Sequence, residues 1–152
     1  MVRFDLTTVI HRQIEEVFPY FCDLRNAPQW QSWLRSVTQQ GPTRVGTKTQ
    51  QSGQWMGRTL DFESEVTELE EGRKFSFAAT SPFPYSLATS FAPVAKGTQL
   101  NAQLLGEPGG FFKLAEPLVA RLAKQMWRAD FGRLKTLLES GAATWAQELR
   151  AV

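Results

Sequence analysis

Few side chains in this sequence have the chemistry to act on a substrate, and each has a plain structural reading beside the reactive one. His11, the sole histidine, is the natural general base near neutral pH. It falls where the first strand should turn, with no Ser or Cys nucleophile pattern around it, and so reads as a surface residue. Asp61, Glu63 and Glu65 form the most conspicuous acid set. Grouped carboxylates can do acid/base work or hold a hard cation. Here they alternate with Leu60, Phe62 and Val66, which assigns them to solvent, with Lys74 on the next strand as an ion-pair partner for one of them. Cys22, the single cysteine, lies on an apolar helix face and reads as a small core residue. One cysteine and one histidine exclude an intrachain disulfide and a Cys/His zinc site. No catalytic residue, metal or cofactor is expected.

What remains is apolar. Phe62, Phe75, Phe77, Tyr85, Leu87, Phe91, Leu100 and Leu104 should point from strands toward a terminal helix. Leu118, Leu122, Met126 and Ala129 should point back. Either these residues touch and form a solid core, or they line a gap that holds a ligand; alternation does not distinguish the two. In the second case a substitution such as Phe77→Trp would be accommodated. Tyr85 adds a hydroxyl, for which a backbone carbonyl or a ligand carbonyl would serve as partner. Gln50, Gln51, Ser64, Thr89 and Gln125 are further polar groups that could face inward, to orient a ligand or hold a water. Trp30, Trp33 and Trp55 lie in or beside loops, where they would form a rim or cap the core. Phe111 and Phe112 follow Gly109-Gly110 and suit either a gate or a pinned helix start.

The elements that must position these residues follow from periodicity. Val2 to Ile10 alternates apolar with polar and predicts a half-buried strand. Ile14, Val17, Phe18 and Phe21 mark one helix face, kept short or kinked by Pro19. A second short helix is expected between Asp23 and Trp33, then a strand from Leu34 to Gln40 closed by Gly41-Pro42. Val45 to Gln51 is a polar strand, with Gly53 to Gly57 as its hairpin loop. Alternation resumes through Arg58–Leu69, Phe75–Ala79, Tyr85–Phe91 and Thr98–Leu104, an antiparallel meander. Phe111, Leu114, Leu118, Leu122, Gln125, Met126, Ala129 and Leu134 outline a long helical stripe running to about Glu139, ordered from about Ala115 and stopped by Gly141. Residues 1–141 should form one domain, with 142–152 as a tail.

With 152 residues, 42% hydrophobic and 21% charged, the chain can bury a core of its own. Its formal charge of +2 is well mixed, and no basic run interleaved with aromatics suggests nucleic acid. Arg121, Lys124 and Arg128 form a strip best explained as a solvated helix face. The N-terminus alternates instead of forming a signal peptide, and no apolar run is long enough to span a bilayer. A cytoplasmic location without stable membrane insertion is expected, and a homodimer is left open.

The order of elements, more than any motif, carries a resemblance. Ile14-Glu15-Glu16-Val17-Phe18 with Asp23 and Trp30, Gly41-Pro42 with Val45-Gly46-Thr47, Val66-Thr67-Glu68-Leu69, Lys96-Gly97-Thr98, and Leu134-Lys135 with Leu138-Glu139 together resemble the START/polyketide-cyclase (SRPBCC, Bet v 1-like) superfamily. The likeness runs from about Val2 to Glu139. It departs from the family at His11-Arg12, where Ala-Pro is common, and at Pro19. The resemblance implies an α+β helix-grip fold: about seven antiparallel strands curved around the C-terminal helix, with two short helices after the first strand. It also implies a cavity for a hydrophobic small molecule such as a lipid or polyketide, with Phe18, Trp30, Phe62, Phe75, Phe77, Tyr85, Leu87, Phe91, Leu100, Leu118, Leu122 and Met126 as candidate lining. Two functions follow. One is a non-catalytic binder of that molecule; the other is a cyclase/dehydratase-type enzyme acting in the same cavity, which needs a titratable group on the inner face.

Overall fold

Period-two alternation builds seven strands in the computed structural model, which describes residues 1–141. They are β1 (Val2–Ile10), β2 (Leu34–Gln39), β3 (Lys48–Trp55), β4 (Arg58–Glu70), β5 (Lys74–Ser81), β6 (Tyr85–Val94) and β7 (Gly97–Gly106). Helix α1 (Ile14–Cys22) and a 3-10 turn (Leu24–Gln29) carry the chain from β1 to β2. A single turn of helix, α2 (Phe111–Leu114), precedes the long α3 (Glu116–Ser140). The expected tail 142–152 and the side chain of Phe111 lie outside the described residues.

The sheet runs β1-β7-β6-β5-β4-β3-β2, and every neighbouring pair is antiparallel. Strands β2 to β7 form the meander; β1 closes the far edge by pairing Val2 with Gly106 and Ile10 with Thr98. Register shifts in β4, between Glu63 and Ser64 and between Val66 and Glu68, interrupt its ladder with β5; such bulges bend a strand and increase its twist. At 25 residues α3 is about 38 Å long, enough to cross the concave face. This is a helix-grip architecture.

Local chemistry fixes the ends of the grip. Ala115, at φ −119° and ψ 36°, separates α2 from α3, and Pro117 falls in the first turn of α3, where its missing N–H costs nothing. Gly141, at φ 82°, closes the other end and donates its N–H to the Leu138 carbonyl. That end is tied to β1. Lys135 Nζ donates to the Val9 carbonyl at 2.7 Å, and Glu139 Oε2 accepts from the His11 N–H at 2.9 Å.

Two readings of the sequence need correction. The β3–β4 hairpin turns on Met56-Gly57 alone, at φ 51° and 74°, a left-handed pair matched to the sheet's twist. Gly53 is therefore strand, not loop, and Trp33 lies so close over it that a Cβ there would stand 2.0 Å from the Trp33 carbonyl oxygen. The face of α3 is also rotated from the leucine stripe. Its buried residues are Val119, Ala123, Trp127, Asp130, Phe131, Leu134 and Leu138. Leu114 and Leu118 are 90% and 49% exposed, and Gln125 and Ala129 face solvent. Burying Trp127 and Phe131 removes more apolar area from water than burying those leucines, and the break at Ala115 uncouples Leu114 from the register of α3.

Candidate functional site

Most of the space between sheet and helix is filled. Phe21 stacks on Trp30 at 5.6 Å and on Phe131 at 6.3 Å, and meets Phe75 and Phe91 edge-on. Trp30 reaches Phe131 at 5.4 Å and Trp127 at 6.3 Å, and Phe18 meets Phe91 at 5.0 Å. Packing of this kind leaves no room for a guest.

The surfaces part at the other end of the helix. There, next to the β1 N-terminus, lies a partly open cavity of about 80 Å³. Leu60 and Phe62 of β4, Tyr85 of β6 and Leu104 of β7 form its floor; Val119, Ala123, Met126 and Trp127 of α3 form its roof. Trp33, Trp55, Phe83 and Phe112 close the rim. Trp55 stacks on Phe112 at 5.5 Å, and Phe83 bridges Phe62 and Phe112 at 5.1 and 6.0 Å. Gly110, at φ 55°, supplies the chain reversal that lays Phe112 across the opening.

Three of the twelve expected lining residues, Phe62, Tyr85 and Met126, are on this wall. Phe18, Trp30, Phe75, Phe77, Leu87, Phe91 and Leu100 are buried in the filled core instead. Leu118 and Leu122 belong to neither: the rotation of α3 leaves the first largely exposed and the second half-buried. Phe77 packs on Phe75 and Tyr85 within the core, so a larger ring there should cost about 1–3 kcal/mol of stability, measured by urea denaturation of Phe77→Trp. Trp33 and Trp55 sit at the mouth, whereas Trp30 is interior. The residues that sequence reasoning passed over, above all Ala123 and Trp127, carry an i, i+4 signal with Val119 that a count of leucines hides.

Polar groups sort cleanly. Gln51 and Ser64 are buried and Gln51 Nε2 donates to Ser64 Oγ at 3.2 Å, with Thr49 Oγ1 also hydrogen-bonded to Ser64. Gln50 and Gln125 face solvent, against expectation. Asp61, Glu63 and Glu65 face solvent, as their alternation assigns them, but Lys74 approaches Glu68 at 4.0 Å instead of any of them. His11 is exposed just past the end of β1, about 30 Å along the chain from Val2 at the cavity. Burial drives the Cys22 thiol far above its ordinary range, which keeps it protonated and inert. No cluster of metal-ligating side chains occurs among the described residues.

Tyr85 and Asp130 stand apart. The Tyr85 hydroxyl is buried with no hydrogen-bond partner, and burial raises its pKa well above the usual phenol value. Asp130, fully buried on α3, was not foreseen. Its Oδ1 accepts the Ser32 N–H at 3.2 Å and lies 3.9 Å from the Arg133 guanidinium, while Oδ2 has no partner. Burial raises its pKa; the Ser32 hydrogen bonds and the Arg133 charge pull the other way without cancelling it. A carboxyl whose folded pKa is raised binds more protons folded than unfolded, so its destabilising effect fades as pH falls from neutral toward the ordinary carboxylate range. The stability of Asp130→Asn relative to the wild type should therefore decline over that interval, measured by urea denaturation at about pH 7 and about pH 4.5. A rise in the stability of Asp130→Asn relative to the wild type on acidification would contradict this account of Asp130.

Residues 1–139 match the profile of a family described as polyketide cyclase / dehydrase and lipid transport. Among solved structures, TTHA0849 from Thermus thermophilus is similar at TM-score 0.78 and 17% identity, covering 91% of this chain and 98% of its own. A START superfamily protein from Mycobacterium smegmatis gives 0.75 and 16%, covering 92% and 99%. Ara h 8.0201 gives 0.69 and 14%, covering 91% and 97%. At these identities the likeness concerns the fold. Among curated proteins the sequence finds no similar relative.

Proposed function

The chain belongs to the polyketide cyclase/dehydrase and lipid transport family, and from that premise we propose that it binds a small hydrophobic molecule in the cavity between α3 and the sheet. One observation supports the reading above others: the cavity takes its wall from both layers of the grip and is lined almost wholly by hydrocarbon and aromatic surface. Such a wall excludes water and favours an apolar guest.

Size bounds the guest. An engineered cavity of about 150 Å³ admits benzene, so 80 Å³ suits a smaller body. A longer lipid or polyketide chain requires Phe112 and Trp55 to swing away from the opening. The second reading, a cyclase or dehydratase, requires a proton-transferring group at the wall. Asp130 is the buried acid nearest in sequence, about one turn beyond Trp127, but it is absent from the lining and is already tied to Ser32. A binder of the carrier or sensor kind is therefore the better fit.

Ala123→Leu tests this. The added carbons would occupy the gap, and filling a true void is worth about 0.5–2 kcal/mol of stability. Native mass spectrometry should find a low-mass guest retained by the wild type and lost from the variant, which melts no lower. Equal retention by both proteins would refute the proposed location, and a stability loss of about 1–3 kcal/mol would mean the space was already full.

A further inference from the structure

We infer that the end of the molecule carrying the cavity mouth docks reversibly on an anionic lipid surface. Leu114 and Leu118 enter the bilayer interface, and the cations that follow them on α3 meet the headgroups. The inference goes beyond the binding of a guest, and its test needs none. Three of the five exposed large apolar side chains among the described residues stand here: Met1 at 70%, Leu114 at 90% and Leu118 at 49% exposure. Each adjoins the cavity wall in sequence, since Met1 precedes Val2, Leu118 precedes Val119, and Leu114 follows Phe112 by two residues. The Met1 ammonium donates to Glu116 Oε1 at 2.7 Å, which ties the chain start to the first turn of α3 and gathers these side chains at one end. A single exposed leucine is ordinary, but several together mark an interaction site.

Charge identifies the partner. From Pro117 to Leu138, α3 holds five cations and one acid, and that acid, Asp130, is buried. Arg121 and Lys124 are exposed and follow Leu118 by about 5 and 9 Å along the axis. Lys113 is exposed beside Leu114. None of these three makes an ion pair among the described residues. Against them stand Glu107, which is exposed, and Glu116, which the Met1 ammonium already neutralises. Leucines followed by cations match the two zones of an anionic membrane surface, the acyl boundary and the headgroups. A second copy of this chain is a poorer cover, because a two-fold contact on this face sets the cations of each copy against their like. Nucleic acid would use the cations but leave the leucines in water. No helix among the described residues is long and apolar enough to cross a membrane; the contact is with its surface.

Co-sedimentation with vesicles tests this, using phosphatidylcholine with about one-third phosphatidylserine, and phosphatidylcholine alone, at about 0.1 M salt. The wild type should bind the anionic vesicles at least about tenfold more tightly than the neutral ones. Raising the salt to about 1 M should remove most of that preference. Leu114→Ser with Leu118→Ser should weaken binding at least about tenfold, and Arg121→Glu with Lys124→Glu about a hundredfold. Val45→Ser, also at an exposed position but at the opposite end of the sheet, should bind as the wild type does. All the substituted side chains are exposed, so the variants should melt with the wild type.

A wild type that stays in solution with anionic vesicles would overturn the inference. Full retention of binding by the serine variant would overturn it too, since the contact would then be charge alone. Equal binding to both kinds of vesicle would deny the cations their role. A wild-type dimer in sedimentation equilibrium that the serine variant loses would assign the patch to a second copy instead. None of these outcomes bears on the cavity, which guest retention by the wild type and Ala123→Leu decides separately.

Discussion

Trp30→Ala should cost about 3–5 kcal/mol of folding stability, from a total that for a domain of this kind is about 5–15 kcal/mol. Trp30 is 2% exposed and joins three elements at once. It stacks on Phe21 of α1 and packs against Trp127 and Phe131 of α3, and it closes the 3-10 turn through its N–H to the Ala27 carbonyl at 3.0 Å. Truncation removes the indole's transfer energy and leaves a void that aromatic neighbours, held by one another, cannot collapse to fill. Urea denaturation at neutral pH measures the loss. A cost below about 1 kcal/mol would mean that the aromatic cluster is looser than described and that the sheet and helix are held apart by something else.

Gly53→Ala should be nearly as damaging, at about 3 kcal/mol, the upper end of the overpacking range. The added Cβ meets the Trp33 carbonyl oxygen at 2.0 Å and the Trp33 ring at 2.8 Å. That carbonyl is not free to move, because it accepts the Gln54 N–H at 2.9 Å. Relief therefore requires β2 to shift, and Trp33 moves with it off the cavity rim, so guest binding should fall together with stability. Gly132→Ala provides the contrast. Its Cβ would meet nothing within 4 Å on the exposed side of α3, so the exchange should stabilise by about 1 kcal/mol through helix propensity. If Gly53→Ala were as benign as Gly132→Ala, the close passage of Trp33 over β3 would be wrong.

These two sites also mark where reading the sequence succeeds and where it stops. The inner faces of β4 and β6 were legible because a strand's period is two: Leu60, Phe62, Ser64 and Val66, then Tyr85, Leu87, Thr89 and Phe91, all point inward. A helix is less decisive. Leucines at 114, 118 and 122 and the run Val119, Ala123, Trp127 both satisfy its spacing, and only packing against a real sheet chooses the second. Gly53 looked like part of a turn because it stands close before Gly57, and closely spaced glycines commonly mark a loop; the need for room under Trp33 is a tertiary fact. Asp130 was missed because an acid on a helix is normally solvated, although its spacing from Trp127 and Leu134 places it on the buried stripe.

The cavity itself was the least legible feature. Alternation says which side chains face inward but not whether they meet. At the Phe21–Trp30–Phe131 end they do; beside Ala123, where the helix side chain is one carbon long, they do not. The space between the layers is thus confined to one end of the grip, and the occupant proposed for it is correspondingly small.

Xenon provides the most direct measurement, because it enters dry apolar cavities and demands nothing of the guest's polar chemistry. Under xenon pressure, the methyl NMR signals of Val2, Leu60, Val119 and Ala123 should shift saturably, those of Leu138 at the far end of α3 should not, and Ala123→Leu should abolish the effect at the remaining cavity methyls. If the wild-type signals show no saturable shift, the two layers of the grip meet completely and the binding function proposed for this chain is wrong.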